Sequence, residues 1–290
     1  MLHGVLNIKK PGGVTSRWVV DQVQRVVRPA KAGHAGTLDP LATGVLVVCV
    51  GQATRLIEYV QRGRKRYTGT FLLGRSSPTE DVESEVALLA DPPIPSREAL
   101  AQAAEALVGT IEQRPPAFSA LKVEGRRAYD LARAGEEVNL APRQIDIHRL
   151  EIVGYEYPEL TLEIECGGGT YVRSLGRDLA RALGSDAVMS ALVRTAIGGF
   201  RLEDSIDVEQ LTRTNVSERL LPPLAAVSTL PVVELSDGEI KRITHGLAIH
   251  RPTASAEGEW AAVDAAGRLL AILARRPDGA LGPSRVFPPA

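Results

Sequence analysis

The fold is decided by the stretch His34-Ala35-Gly36-Thr37-Leu38-Asp39-Pro40-Leu41-Ala42-Thr43-Gly44, which runs directly into Val45-Leu46-Val47-Val48-Cys49-Val50. The apolar, mostly β-branched run predicts a buried strand. The glycines and the proline predict a tight loop before it, because Pro40 restricts Asp39 to extended or turn geometry. An aspartate on such a loop can act as a nucleophile, a base or a structural cap, and Asp-Pro is also a common turn dipeptide.

The elements around this strand do not alternate regularly between strand and helix. The apolar periodicity predicts helices at 17–27, 52–60, 96–108, 126–134 and 171–183. It predicts strands at 2–8, 67–73, 145–153, 160–166 and 188–197. This order favours an α+β fold with a mixed, mostly antiparallel sheet flanked by helices over a doubly wound parallel sheet.

A composition change near Leu221-Pro222-Pro223 predicts a domain boundary. We expect a larger domain over residues 1–228 and a small β-rich domain over residues 229–290. In the smaller domain a helix near Asp237–His245 precedes two short strands, and Asp264-Ala265-Ala266-Gly267 predicts the hairpin turn between them.

The net charge of −1 on 290 residues conceals a strong asymmetry along the chain. Residues 1–75 hold 12 Lys and Arg against 3 Asp and Glu, a net of +9, whereas residues 76–112 hold 1 against 8, a net of −7. A basic block can bind a polyanion such as nucleic acid, because phosphate contacts release counterions. The alternative is a basic face neutralised by the acidic stretch within one fold.

Several classes of protein are excluded or disfavoured by the sequence. No apolar run approaches the ~18 residues that span a bilayer, and the N-terminal basic residues follow the apolar ones, the reverse of a signal peptide. The two cysteines form neither a disulfide framework nor a zinc ligand set, and they predict buried thiols in a cytoplasmic protein. Phosphate-loop, dinucleotide, metalloprotease and hydrolase-elbow motifs are absent.

A second candidate segment is Gly167-Gly168-Gly169-Thr170-Tyr171-Val172-Arg173-Ser174. Glycines that open a helix can cradle a phosphate, or they can simply permit a tight turn. Arg173 has the planar fork that would keep a half-buried carboxylate such as Asp39 ionised, although the sequence alone leaves open whether the two residues meet.

The stretch 34–44 closely resembles the catalytic motif of the TruB family of pseudouridine synthases. The resemblance is collinear over roughly residues 4–200 and includes Lys10-Pro11-Gly12-Gly13-Val14-Thr15-Ser16, Lys65-Arg66-Tyr67, Pro115-Pro116-Ala117-Phe118-Ser119-Ala120-Leu121-Lys122, Gly169–Ser174 and Ala191-Leu192-Val193-Arg194. The segment Ser190–Thr195 is less basic than in many members. The tail resembles, more loosely, the PUA-type RNA-binding domain that many members carry.

The resemblance implies a role for each matched residue. It makes Asp39 the catalytic aspartate, Tyr67 the residue that packs on the target uracil and helps remove its C5 proton, and Arg173 the ion-pair partner of Asp39. It also implies two groups of RNA contacts: His34, Tyr67, Tyr171 and Leu192 with the flipped nucleotide, and Lys10, Lys65, Arg66 and Lys122 with the RNA backbone.

The same resemblance implies conversion of uridine 55 in the T-loop of tRNA to pseudouridine, without metal or cofactor. We expect a monomer that binds the tRNA T-stem-loop and requires neither a membrane nor a guide RNA. Two alternatives are a guide-RNA-dependent synthase and a non-catalytic tRNA-folding chaperone. A nucleotide-binding protein built on Gly167–Gly169 is a more distant one.

Overall fold

A computed structural model describes residues 2–119, 121–123, 125–136, 138–251 and 258–287. Its helices are α1 Ser16–Val27, α2 Ile57–Arg62, α3 Arg97–Glu105, α4 Ala128–Arg133, α5 Val172–Arg181, α6 Val216–Arg219 and α7 Asp237–Thr244. Short 3₁₀ turns cover Gly51–Leu56, Val208–Gln210 and Pro223–Val227.

The strands fall into one large sheet, one small sheet and two short ribbons. They are β1 Gly4–Lys10, β2 Ala32–His34, β3 Thr43–Val50, β4 Lys65–Leu73, β5 Arg75–Ser76, β6 Ala87–Leu88, β7 Gly109–Gln113, β8 Lys122–Val123, β9 Arg126–Arg127, β10 Arg143–Glu156, β11 Glu159–Cys166, β12 Ala187–Ile197, β13 Phe200–Arg201, β14 Ile206–Asp207, β15 Val232–Glu234, β16 Glu259–Val263, β17 Leu269–Arg275 and β18 Leu281–Val286.

The large sheet has the order β14-β1-β3-β12-β4-β11-β10-β7, with β2 paired to β3 and β13 paired to β12. The β1–β14 and β3–β12 pairs are parallel, and the other pairs are antiparallel. The expected α+β fold with a mixed, mostly antiparallel sheet is confirmed. Strand β3 lies inside the sheet, so its apolar run is buried almost throughout.

Helix α1 shows how the local sequence sets an element. The Thr15 hydroxyl caps it by accepting from the Trp18 amide at 3.1 Å. Valines spaced along one face, Val19, Val20 and Val23, are buried against the sheet. The predicted helix at 52–60 differs in detail: it begins as a 3₁₀ turn and continues as α2 to Arg62.

The C-terminal residues form the four-stranded sheet β15-β16-β17-β18, with helix α7 beside it. Its predicted hairpin is confirmed, because the Asp264 carboxylate accepts from the amides of Ala266 and Arg268 and Gly267 has a φ of 74°. This small β-rich unit is consistent with a PUA-like domain. Ala261 and Phe287 belong to the same apolar cluster as Val5 and Val227, so the two sheets share a packed interface.

In the part of the chain that the structure describes, no helix has the length and apolar character to cross a membrane.

Candidate active site

Asp39 lies on the loop between β2 and β3, and this loop is held on both sides. The Ser16 hydroxyl at the start of α1 accepts from the Leu38 amide at 2.9 Å and donates to the Leu38 carbonyl at 3.1 Å. The Gly13 amide donates to the Pro40 carbonyl at 2.8 Å. Asp39 is therefore presented on a loop whose backbone is tied to two neighbouring segments.

Gly44 closes this loop where the chain enters β3. Its φ is 99°, and a Cβ at this position would lie 2.3 Å from the carbonyl oxygen of Arg194 on β12. A side chain would therefore be strained and would push apart the parallel β3–β12 pair.

The Lys10 side chain holds the same loop by hydrogen bonds to its backbone. Its ammonium group is fully buried and donates to the carbonyls of Pro11 at 2.9 Å, Pro40 at 3.0 Å and Ala42 at 2.7 Å. Burial lowers the pKa of Lys10 to about 8, although nearby Glu83 and Asp39 oppose this shift. All three N–H donors are engaged, so Lys10 holds the loop and offers no free donor to an RNA phosphate.

Asp39 and Arg173 meet in an ion pair. Arg173 Nε lies 3.0 Å from Asp39 Oδ2, and Nη2 donates to Oδ1 at 3.3 Å. The Arg173 side chain is 7% exposed and that of Asp39 is 33% exposed, so the cation is held inside the protein while the carboxylate is accessible to solvent. This two-point contact fixes the direction of the carboxylate.

The remaining donors of Arg173 tie two further segments to the site. Nη1 donates to the Thr79 carbonyl at 2.5 Å and lies 3.5 Å from Asp81 Oδ2, and Nη2 donates to the Phe118 carbonyl at 3.2 Å. The sequence analysis assigned no site residue between 75 and 81 and so missed the carboxylate of Asp81. The available signal was the cluster of acidic residues that follows Gly74.

Tyr67 lies on β4 directly opposite Arg194 on β12. Burial raises the pKa of the Tyr67 phenol, and the positive charge of Arg194 opposes the shift. The charge of Asp39 also acts on this phenol and raises its pKa further. The aspartate loop and the tyrosine strand therefore meet at one site.

Arg194 is the site residue whose role sequence reasoning missed. It is 1% exposed, and it donates to the Val45 carbonyl at 2.7 Å and to the Gly36 carbonyl at 3.2 Å. These two carbonyls lie on either side of Asp39 in the sequence. Arg194 thus connects the aspartate loop to the strand of Tyr67, a contact that only the sheet register reveals.

The other residues expected to contact a nucleotide lie on three different elements. His34 is half-buried at the end of β2, and burial and the charge of Arg194 lower its pKa. Leu192 packs in the apolar cluster that includes Leu38 and Tyr67. Tyr171 caps α5, and the guanidinium of Arg143 stacks on its ring at 4.8 Å.

The expected phosphate contacts differ in accessibility. Lys65 is 7% exposed and donates to the Gln61 carbonyl, and burial lowers its pKa. Arg66 is exposed and pairs with Glu165, with Nε 2.9 Å from Oε2. The backbone of Lys122 lies in β8, and its side chain is outside the described part of the structure. The structure brings Lys10 and Lys65 inside the fold and leaves Arg66 on the surface.

Comparison with known proteins places this geometry in a family. Residues 24–172 match the model of the TruB family pseudouridylate synthase N-terminal domain. A protein named tRNA pseudouridine synthase B from Dehalococcoides mccartyi is 40% identical over 290 residues, which cover 99% of this chain and 97% of that protein. Another of the same name from Heliobacterium mobile is 40% identical, with 93% of this chain and 89% of that protein covered.

The fold also has solved counterparts. A chain from the crystal structure of a Cbf5-Nop10-Gar1 complex superposes with a TM-score of 0.77 at 26% identity, covering 99% of this chain and 85% of that chain. The match extends over the C-terminal sheet as well as the large one, because almost the whole of this chain is covered.

Proposed function

This chain belongs to the TruB family of pseudouridylate synthases, and from that premise we propose how its site converts uridine in tRNA to pseudouridine. Relatives that are 40% identical to this chain are named tRNA pseudouridine synthase B, and in the first of them the match covers 97% of that protein. The proposed target is uridine 55 in the T-loop, the position that the resemblance implies. Family membership and the presence of Tyr67 beside the Asp39–Arg173 ion pair support an active enzyme over a non-catalytic chaperone.

The Asp39–Arg173 ion pair is the observation that carries the mechanism. Pseudouridylation breaks the N1–C1′ bond, turns the uracil and joins it to the ribose through C5. This requires a negative group at the sugar or at C6, and the partly exposed Asp39 carboxylate provides it. Asp39 acts either by covalent attack or by stabilising a glycal-like intermediate, and Arg173 fixes the direction of its carboxylate.

Tyr67 is proposed to hold the detached uracil and to accept its C5 proton. Its ring lies in the apolar cluster beside Leu38 and Leu192, which provides a surface for stacking. Burial raises the pKa of this phenol and so favours its neutral form, and the positive charge of Arg194 partly offsets that effect.

The uridine must leave the RNA loop before these groups reach it, and base flipping provides that access. We assign His34, Tyr171 and Leu192 to the walls that receive the flipped nucleotide. The pKa of the half-buried His34 ring is lowered, which favours its neutral form. We propose that this neutral ring occupies the space that the flipped uridine leaves in the RNA loop.

We assign Arg66, whose side chain is exposed, and Lys122, which the family resemblance implies, to contacts with the tRNA backbone. Residues 229–290 are assigned to an RNA-binding domain beside a catalytic domain over 1–228. Lys10 and Lys65 are assigned to holding the loops around the site, since both ammonium groups are buried. We propose that the protein works in the cytoplasm as a monomer, without guide RNA, metal or cofactor.

The test is a pseudouridine assay on unmodified tRNA transcript with wild type and Asp39→Asn side by side. Product at the T-loop uridine from wild type alone, with similar tRNA affinity for both proteins, is expected. Product from Asp39→Asn would remove the assignment of Asp39. No product from either protein, despite tight binding, would favour a missing guide RNA or a chaperone role.

A further inference from the structure

Helix α5 carries a second buried arginine that the proposed mechanism does not use. Arg177 lies one turn after Arg173 and is 6% exposed. Its Nη1 pairs with the Glu80 carboxylate, and its Nη2 donates to the Arg114 carbonyl at 2.9 Å. The other Glu80 oxygen accepts from the Ser174 hydroxyl at 2.6 Å. The pair therefore joins α5 to the loop that precedes Asp81.

Glu80 occupies an unusual backbone position. Its φ is 62°, in the left-handed region that residues other than glycine rarely adopt. Its carbonyl accepts from the Met189 amide at 3.0 Å, and the Val82 amide donates to the Met189 carbonyl at 3.1 Å. A strained residue of this kind persists only where its surroundings hold it, and such positions cluster at functional sites.

The two neighbours of Glu80 both hold Arg173. Thr79 provides the carbonyl 2.5 Å from Arg173 Nη1, and Asp81 provides the carboxylate 3.5 Å away. We propose that Glu80 and Arg177 form a positioning pair, which sets the loop so that Thr79 and Asp81 hold Arg173 and, through it, the Asp39 carboxylate. This inference rests on the proposed function of Asp39.

Charge compensation alone does not account for Glu80. Arg177 already has a carboxylate on its own helix, because Asp178 Oδ1 lies 2.9 Å from Nε and 2.8 Å from Nη2. A buried ion pair also adds little net stability, since desolvation of the charges offsets their attraction. The role of the Glu80 carboxylate is therefore to fix the position of the loop.

Glu80→Gln and Asp178→Asn form a matched pair, because each turns one carboxylate partner of Arg177 into an amide of the same shape. At saturating tRNA we expect Glu80→Gln to lower the single-turnover rate roughly 10-fold or more, with tRNA affinity within about twofold of wild type. In Asp178→Asn we expect the single-turnover rate and the tRNA affinity to stay within about twofold of wild type. An unchanged rate in Glu80→Gln, an equal fall in both variants, or a parallel loss of affinity would each overturn the inference.

A readout independent of activity separates this inference from the assignment of Asp39. Amide hydrogen exchange at Val82 and Met189 should be faster in Glu80→Gln than in Asp178→Asn, and equal exchange would contradict the proposed pair. If Glu80→Gln does not fold, Ser174→Ala removes one hydrogen bond to Glu80 and keeps both charges. Its rate should fall about threefold, and a wild-type rate would overturn the inference. Full activity in Asp39→Asn would instead remove the proposed role of Asp39.

Discussion

At the scale of single residues, the site combines a partly exposed carboxylate with cations that water scarcely reaches. Asp39 keeps a third of its side chain accessible, whereas Arg173 and Arg194 are almost fully buried. Each guanidinium donates to two backbone carbonyl groups: Arg173 to those of Thr79 and Phe118, and Arg194 to those of Val45 and Gly36. Because solvent screens buried charges only weakly, these guanidinium groups interact strongly with nearby negative charge. Their hydrogen bonds hold them in place before substrate binds.

Tyr67→Phe removes the hydroxyl and keeps the aromatic ring. We expect the single-turnover rate to fall roughly 100-fold while tRNA affinity stays near wild type, because stacking survives and proton removal does not. Rapid-quench assays at saturating tRNA measure the first quantity, and filter binding measures the second.

Tyr155→Phe is the control for the Tyr67 variant, since the Tyr155 hydroxyl donates to the Pro95 carbonyl outside the site. A loss of affinity with an unchanged rate in Tyr67→Phe would contradict the base role.

Lys10 gives the site a measurable pH dependence of stability. Its pKa is lowered from 10.5 to about 8 by burial, so between these values the unfolded chain keeps a proton that the folded protein releases. The free energy of unfolding therefore rises with pH through this window. Relative to Lys10→Met, wild type should gain roughly 1–2 kcal/mol between about pH 7 and about pH 9.5.

Denaturant unfolding of both proteins at the two pH values measures this gain. The pH dependence of Lys10→Met reports all the other titratable groups, so the difference between the two proteins isolates the contribution of Lys10. A difference between the proteins that does not change with pH would show that the pKa of Lys10 is not lowered.

At the scale of elements, helix α5 organises the site. Its buried face presents Arg173, Ser174 and Arg177 to the loops that carry Asp39 and Glu80. A buried helix face with two arginines is unusual, because charged side chains are costly to bury without partners. The helix also approaches β4 closely through Gly176, where a Cβ would lie 2.1 Å from the Phe71 ring.

Gly176→Ala should therefore destabilise the protein despite the better helix propensity of alanine. Overpacking against Phe71 is expected to lower the free energy of unfolding by about 1–3 kcal/mol and to reduce turnover by displacing Arg173. Chemical denaturation and the tRNA assay measure the two effects.

Gly238→Ala on α7 is the matched control, because no atom lies within 4 Å of its added Cβ. We expect it to be neutral or to stabilise the protein by about 0.5–1 kcal/mol. An equal effect of the two substitutions would argue against close packing of α5 on β4.

At the scale of the whole molecule, the C-terminal sheet contacts α2 through polar side chains in addition to the apolar interface. The Tyr59 hydroxyl donates to Glu259 at 2.7 Å, and Arg62 pairs with the same carboxylate at 3.1 Å. Arg285 pairs with Glu58 and lies 5.0 Å from the Tyr59 ring centre. These contacts give the small sheet a defined position relative to the site.

Truncation after residue 228 removes this sheet and exposes the apolar residues that packed against it. We expect tRNA affinity to fall roughly 10-fold or more, with a smaller effect on the single-turnover rate at saturating tRNA, because phosphate contacts contribute most of RNA affinity. The free energy of unfolding should also fall, since Val227 and its neighbours lose apolar cover.

Binding and single-turnover assays at a temperature where the truncated protein is folded measure these effects. Unchanged tRNA affinity would remove the RNA-binding role assigned to residues 229–290.

Much of the fold could be predicted because it depends on local patterns. The apolar run of β3, the caps and periodicity of α1, and the turn at Asp264–Gly267 each follow from residues close together in the chain. The short strands β14 and β15 were not predicted, since three or fewer residues carry too little pattern to distinguish a strand from a loop.

The amino-acid sequence was enough to identify the groups of the proposed chemistry: a loop that carries Asp39, a strand that carries Tyr67 and a helix that carries Arg173. The three-dimensional fold was needed to show that Arg173 meets Asp39, that Arg194 faces Tyr67 and that Lys10 is buried. The physical reason is that periodicity and turn chemistry act over a few residues, whereas burial and ion pairing depend on sheet register and on contacts between distant segments, such as Asp39 and Arg173, which lie 134 residues apart.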